Sequence, residues 1–237
     1  MVGSRGTNLS LVVGNDPAAA LANRERLAQW VGAPVSYARQ VHGSGVHTCV
    51  RGGEPPGEAD ALVTADPRIA VAVLVADCVP VLVAEGSVVA AVHAGRAGVI
   101  AGVVAAAVAA MVRLGAVPSR ARAVVGPAIC GSCYELPADL QAEVEAVVPG
   151  AASRTSWGTP AVDLAAAVRS QLAGCGIEQV SSVGSCTMED PRWFSHRGWR
   201  AGALRAEGRF AAVVRSLPPQ VTRAGVSPSA VRSAGLA

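Results

Sequence analysis

The sequence predicts a mixed α/β domain in one piece over residues 1–217, with mixed β-sheets flanked by helices. Three observations predict it. Ile69–Ala76, Val79–Ala84 and Val88–Val92 are short, Val-rich apolar runs bounded by turn residues, the pattern of buried strands. Longer segments that read as helices alternate with such runs along the rest of the chain. No internal repeat and no clear linker divides it. Hydrophobic residues make up 51% of the 237 and charged residues 16%, which suits a packed core rather than a disordered chain.

Taken in order, Asn8–Val13 reads as a first strand, followed by a Gly14-Asn15-Asp16-Pro17 turn. Asp16 suits an N-cap with Pro17 at the first helical position, and that helix runs to about Trp30, before Gly32. Pro34–Gln40 returns as a strand toward Val41-His42-Gly43, and Gly52–Gly57 is a turn-rich loop. The three Val-rich strands come next, then a helix from about Ala97 to Leu114 that stops near Gly115 and Pro118. Ala121–Val125 is a strand ending at Gly126-Pro127. Helices over Pro137–Val148 and Asp163–Ala173 follow, then strands over Gln179–Val183 and Arg209–Val214. From Pro218 to residue 237 no periodic face remains, and disorder is expected.

Composition excludes several classes. All 20 basic residues are arginine, so a Schiff-base or P-loop lysine is ruled out. A net charge of +3 with scattered arginines gives no nucleic-acid footprint. No apolar run reaches the roughly 20 residues that span a bilayer, so no membrane partner is expected. The opening MVGSRGTNLS has no apolar signal core, which points to the cytoplasm and to reduced thiols at all six cysteines.

The chemistry sits at the ends of the apolar runs. His42, Cys78 and His93 offer two imidazoles and a thiol, a set that suits zinc and leaves a fourth position for water or substrate. Their spacings of 36 and 15 residues match no short zinc signature. On residue type alone, Cys78 also fits a small core residue. Position raises the metal reading, because each of the three lies beside Gly or Pro near a strand end. Asp77 fits a group that orients a ligand or moves a proton, and equally a turn cap. The same residues fit a cysteine hydrolase with Cys78 as nucleophile, His93 as base and Asp77 as orienter. A metal-binding protein without catalysis is the third reading.

Cys130 and Cys133 form a CxxC; with no second CxxC and no thioredoxin-like context, a thiol lining a pocket is its expected role. Arg39, Gln40, Arg96 and Arg197 lie near the candidate site in sequence, and arginine binds phosphate or carboxylate in bidentate fashion. His47 reads as a loop residue and His196 as a substrate contact. Trp193 and Phe194 fit either a core plug or a stacking wall for a flat substrate.

Six motifs in this order resemble the YfiH/YlmD family, long labelled laccase-domain or polyphenol oxidase proteins. They are Arg39-Gln40-Val41-His42-Gly43, Glu58 through Thr64, Ala76-Asp77-Cys78-Val79-Pro80, Val92-His93-Ala94-Gly95, Gly126 through Glu135, and Cys186-Thr187 with Phe194-Ser195-His196-Arg197. The resemblance covers roughly residues 8–215 and implies the single-domain YfiH-like α/β fold. It implies a zinc-dependent purine nucleoside phosphorylase acting on adenosine, inosine and S-methyl-5′-thioadenosine, with adenosine deaminase activity. The family's metal ligands fall on His42, Cys78 and His93, with Asp77 beside them as a catalytic group. Arg39, Gln40, Cys130 and Arg197 are the expected substrate-binding residues, for a purine nucleoside and phosphate. The oxidase label implies copper, but one His/Cys/His set cannot supply the several copper sites of a true laccase. Two departures stand out: the family commonly follows VHAG with Trp-Arg-Gly where this chain has Arg96-Ala97-Gly98, and only Ser4-Arg5-Gly6 stands ahead of Asn8-Leu9.

Overall fold

A computed structural model describes residues 7–14, 16–52, 57–204 and 206–217. The expected disordered tail from Pro218, most of the 52–57 loop and Ser4-Arg5-Gly6 lie outside the described residues.

Eleven strands and six α-helices are described. Helix α1 (Pro17–Val31) begins as expected, with the Asp16 carboxylate accepting the Ala19 amide at 2.8 Å. Strands β1 (Val35–Tyr37), β2 (Val46–Thr48), β3 (Ala61–Thr64), β4 (Ala70–Val75), β5 (Val79–Glu85) and β6 (Val88–Ala94) follow. After helices α2 (Arg96–Ile100) and α3 (Val103–Arg113) come β7 (Arg122–Val125), α4 (Ala138–Val147), β8 (Ala152–Arg154) and β9 (Pro160–Val162). Helix α5 (Leu164–Gly174), β10 (Gln179–Ser182), α6 (His196–Arg200) and β11 (Phe210–Arg215) complete the order.

The sheets are mixed, as expected. A six-stranded sheet runs β10-β7-β5-β6-β3-β2, a three-stranded one β1-β4-β11, and β8-β9 form a small ribbon. The two larger sheets pack face to face through Leu62, Val71, Val73, Val89, Ala91 and Ala212. Helix α1 covers the outer face of the smaller sheet through Leu27 against Val35, Ala70, Ala72 and Ala211. Helices α3 and α5 cover the larger one, with Val104, Ala107, Met111, Ala167 and Val168 against Val81, Val92 and Val125. The order is helix, sheet, sheet, helix. Strands β4 and β6 therefore have apolar neighbours on both faces, which is why they read as continuous apolar runs instead of alternating ones.

Four expectations are corrected. Asn8–Val13 is a looped segment, because the Asn8 side chain and the Ser10 hydroxyl take up local backbone groups at Ser10, Val12 and Val13 that a ladder would need. The helix over Ala97–Leu114 breaks into α2 and α3 at Gly102, whose φ of 79° lies in the left-handed region. The Pro34–Gln40 strand shrinks to β1. His47, expected in a loop, lies in β2, paired with Leu62 of β3. Among the described residues no helix is long and apolar enough to cross a membrane.

Candidate metal centre and the cleft above it

The 15-residue step from Cys78 to His93 is a hairpin distance. Strands β5 and β6 are antiparallel, with Val79 opposite Ala94 and Pro80 opposite His93. The chain runs out, turns at Gly86-Ser87 and returns, so Cys78 and His93 end side by side. Strand β3 pairs antiparallel on the other edge of β6, Ala61 opposite Val92. That register carries Asp60 next to His93, and the His93 amide donates to the Asp60 carbonyl at 2.7 Å.

Asp60 then organises the site. Fully buried, it pairs through Oδ1 with Nδ1 of His93 at 2.8 Å. The same carboxylate accepts the backbone amides of Val41, His42 and Gly43 at 3.2, 2.9 and 2.7 Å. Consecutive amides turned toward one anion form a nest, and His42 sits in it with φ 60°. A non-glycine residue there is uncommon and strained, and the carboxylate holds it in place. Burial alone would raise the Asp60 carboxyl, but the bonds from His93 and the amides outweigh it and hold it below the usual carboxylate range.

With Nδ1 of His93 engaged by Asp60, its Nε2 is left to face Cys78 and His42. The donor atoms of His42, Cys78 and His93 lie within 4.8 Å of one another, and the two imidazoles meet edge to face at 4.7 Å. Burial would push the Cys78 thiol up, but His93 and His42 overcome it and hold it down at about 6. Burial would likewise lower His93, whereas the Cys78 thiolate and Asp60 raise it to about 9. Two imidazoles and a ready thiolate, one ring oriented by a carboxylate, are a donor set that fits a cation. Gly95 closes the far side: a Cβ there would stand 2.9 Å from His42 Cδ2 and 3.1 Å from Cys78 Sγ.

Asp77 has φ 87°, the second strained residue beside the centre. One carboxylate oxygen accepts the Thr187 hydroxyl and the other the Arg197 amide, both at 2.6 Å. Its carbonyl accepts the Ile129 amide. Asp77 thus ties the β4–β5 turn to three distant segments.

A cleft of about 750 Å³ opens over His42, Cys78 and His93. Ser10–Val13, Arg24, Arg39, Gln40, Arg96, Tyr134, His196, Arg197 and Arg209 line it, and Asp77 is its only acid among the described residues. Most of the arginines are paired. Arg39 meets Glu58 at the exposed rim, Arg96 meets Glu143 at 2.8 Å and Arg209 meets Glu207 at 3.6 Å. Arg24 donates to the Leu9 carbonyl and stacks on Tyr37, while Arg197 donates to the Glu135 carbonyl over the Tyr134 ring. Among the described residues these two face the cleft with no carboxylate partner. With two guanidinium groups free of carboxylates among the described residues, the cleft suits an anion.

The residues expected to bind substrate are thus brought together only in part. Gln40 borders the cleft, but its amide donates to the Leu74 carbonyl and accepts the Leu74 amide. Cys130 lines a different cavity of about 280 Å³, with Cys186 and Glu189. Phe194 is buried beside Phe210, and Trp193 packs on Phe210 with its indole donating to Ser185, so the aromatic pair is a core plug. Arg96 reaches the cleft despite its displacement in the motif. Asp60 and Arg24 were not singled out from sequence. An acid set among Ala59, Ala61 and Leu62 was a readable sign for the first; Arg24, on a surface helix, carried none.

The fold and the sequence are shared by a known group. The chain belongs to the YfiH/YlmD family: residues 4–216 match the family described as multi-copper polyphenol oxidoreductase laccase. A Streptomyces griseus protein named Purine nucleoside phosphorylase ORF3 is 49% identical over 217 residues, 87% of this chain and 85% of its own. The crystal structure of Neisseria meningitidis protein NMB0706 superposes with a TM-score of 0.80 at 33% identity, over 89% of this chain and 86% of its own. YlmD from Geobacillus stearothermophilus does so with a TM-score of 0.80 at 28% identity, over 89% and 85%.

Proposed function

We propose that this chain is a zinc-dependent purine nucleoside phosphorylase acting on adenosine, inosine and S-methyl-5′-thioadenosine, with adenosine deamination at the same centre. The observation that carries the reading is the convergence of His42, Cys78 and His93, oriented by Asp60, on the floor of an arginine-lined cleft. The curated relative's name supports the reaction class. Residues 1–217 are the unit that performs it.

In this reading His42, Cys78 and His93 hold zinc. When bound, zinc supplies a Lewis acid that stabilises developing charge and activates water for deamination. The chain's own residues do the rest. Arg197 and Arg24 bind phosphate and aim one of its oxygens at the ribose C1′. That oxygen forms the new bond as the bond from C1′ to the purine breaks, and the purine leaves with the electron pair and takes up a proton. Asp77 positions Arg197 by fixing its backbone amide. Asp60 keeps His93 in one tautomer and one orientation.

The test is inosine turnover by purified protein of measured metal content, with and without phosphate. Phosphate-dependent release of hypoxanthine, lost on chelation and absent in Cys78→Ala, is the expected result. Activity in metal-free protein, with Cys78 labelled by an alkylating agent, would overturn it in favour of a cysteine hydrolase. In that case Asp60 rather than Asp77 would orient His93. Zinc retained without turnover of any nucleoside would leave a metal-binding protein.

A further inference from the structure

The second cavity holds a cluster that the reaction does not use. Cys130 and Cys133 lie on the loop between β7 and α4. Cys186 and Glu189 lie on the loop between β10 and α6. Each loop therefore offers two donors three residues apart. One donor atom from each of the four lies within 4.8 Å of all the others.

The backbone holds both pairs in place without help from the thiols. The Cys133 and Tyr134 amides donate to the Cys130 carbonyl at 3.0 and 2.9 Å, closing a tight turn. The Asp190 amide donates to the Cys186 carbonyl at 2.9 Å, closing another. The Ala128 and Thr187 amides zip the two loops together by bonds to Ser185 and Ala128. The side chains are already in contact: the Cys133 thiol donates to Glu189 at 3.3 Å and the Cys130 amide to Cys186 Sγ at 3.4 Å.

We propose that Cys130, Cys133, Cys186 and Glu189 form a second zinc site, a closed structural one. Three thiolates and a carboxylate complete a tetrahedron with no open position, the pattern of structural rather than catalytic zinc. Soft sulfur donors select this kind of ion over magnesium or calcium. Binding displaces the three thiol protons, and the adjoining cavity gives the ion a way in. The ion would clamp two loops that both reach Asp77, one through the Ile129 amide and the other through the Thr187 hydroxyl. It would thus brace the catalytic turn from behind and touch no substrate.

The experiment is a zinc count on the full-length protein, purified under reducing conditions and dialysed against zinc, with Cys78→Ala and Cys186→Ser alongside. Two zinc per chain are expected in the wild type and one in each variant. X-ray absorption on Cys78→Ala is expected to give three sulfur neighbours and one oxygen. Cys78→Ala leaves this cluster untouched, so the result stands even if Cys186→Ser fails to fold. A Cys78→Ala protein without zinc, or with zinc that lacks sulfur neighbours, overturns the proposal. So does a Cys130–Cys133 disulfide in the protein as purified. One zinc in the wild type that Cys78→Ala leaves unchanged supports this site and removes the one in the cleft.

Discussion

Asp60 decides more of the centre than any of the three candidate ligands. One carboxylate fixes the His93 ring and three amides of the His42 loop. Asp60→Asn keeps the size and one acceptor but loses the charge, so it should weaken metal binding by about 10–100-fold, as outer partners of ligand histidines do. Competition with a chelating dye measures this. The same residue gives an acid-side signature. Its folded pKa lies below the unfolded value of about 3.9, so its contribution is complete above that pH and is lost as pH falls through the lowered value. Stability of the metal-free wild type should therefore drop below about pH 4, and Asp60→Asn should lack that component in chemical denaturation followed against pH.

Among the cleft arginines, Arg197 and Arg39 separate by environment. Arg39 forms an exposed pair with Glu58, and such pairs are worth about 0–1 kcal/mol. Arg197 faces the cleft with no carboxylate partner among the described residues, and a charged hydrogen bond to phosphate is worth roughly 1.5–3 kcal/mol. Arg197→Ala should lower kcat/KM for phosphate roughly 10- to 150-fold, whereas Arg39→Ala should change it by no more than about five-fold. Equal effects in a phosphate titration would count against this assignment.

At the scale of elements, the register of β3, β6 and β5 builds the centre. It brings residues 60, 78 and 93 to one end of the six-stranded sheet. Gly95, just past β6, is where the construction has no slack. Gly95→Ala would drive a methyl against His42 Cδ2 and Cys78 Sγ. The cost in stability should stay within about 1–3 kcal/mol, typical of overpacking. The loss should appear instead as missing zinc in elemental analysis of a folded protein. Strands β4, β5 and β6 were legible because their neighbours on both faces are apolar, and α1 and α5 because an aspartate caps the start of each. Strands β2, β8 and β9 are three residues each, too short for any period to register. The role of Asp60 was hidden for a related reason: it depends on which residue of β6 stands opposite, and a single sequence does not state a register.

For the whole molecule, the three candidate ligands were legible as residue types at strand ends, whereas the cleft was not. Its walls come from α1, the 8–13 segment, α2, the β7–α4 loop and α6, which meet only after the two sheets stack. Cys130 shows the limit well. Its motif was quoted beside those of the cleft, yet the pairing of its loop with the 185–187 segment places it at the other cavity.

Near the edge of that cleft, the Leu9 amide donates to the Arg209 carbonyl and the Arg209 amide to the Asn8 side chain, at 3.0 and 2.9 Å. The first and last described segments of the chain therefore finish the same wall. During synthesis His42, Cys78 and His93 leave the ribosome early, while the strand that seats residues 8–13 arrives last. Until then the nascent protein would own a complete set of ligands and no enclosed place to use them. A metal captured at that stage would meet open solvent, and the cleft would close over it only when residues 8–13 meet Arg209.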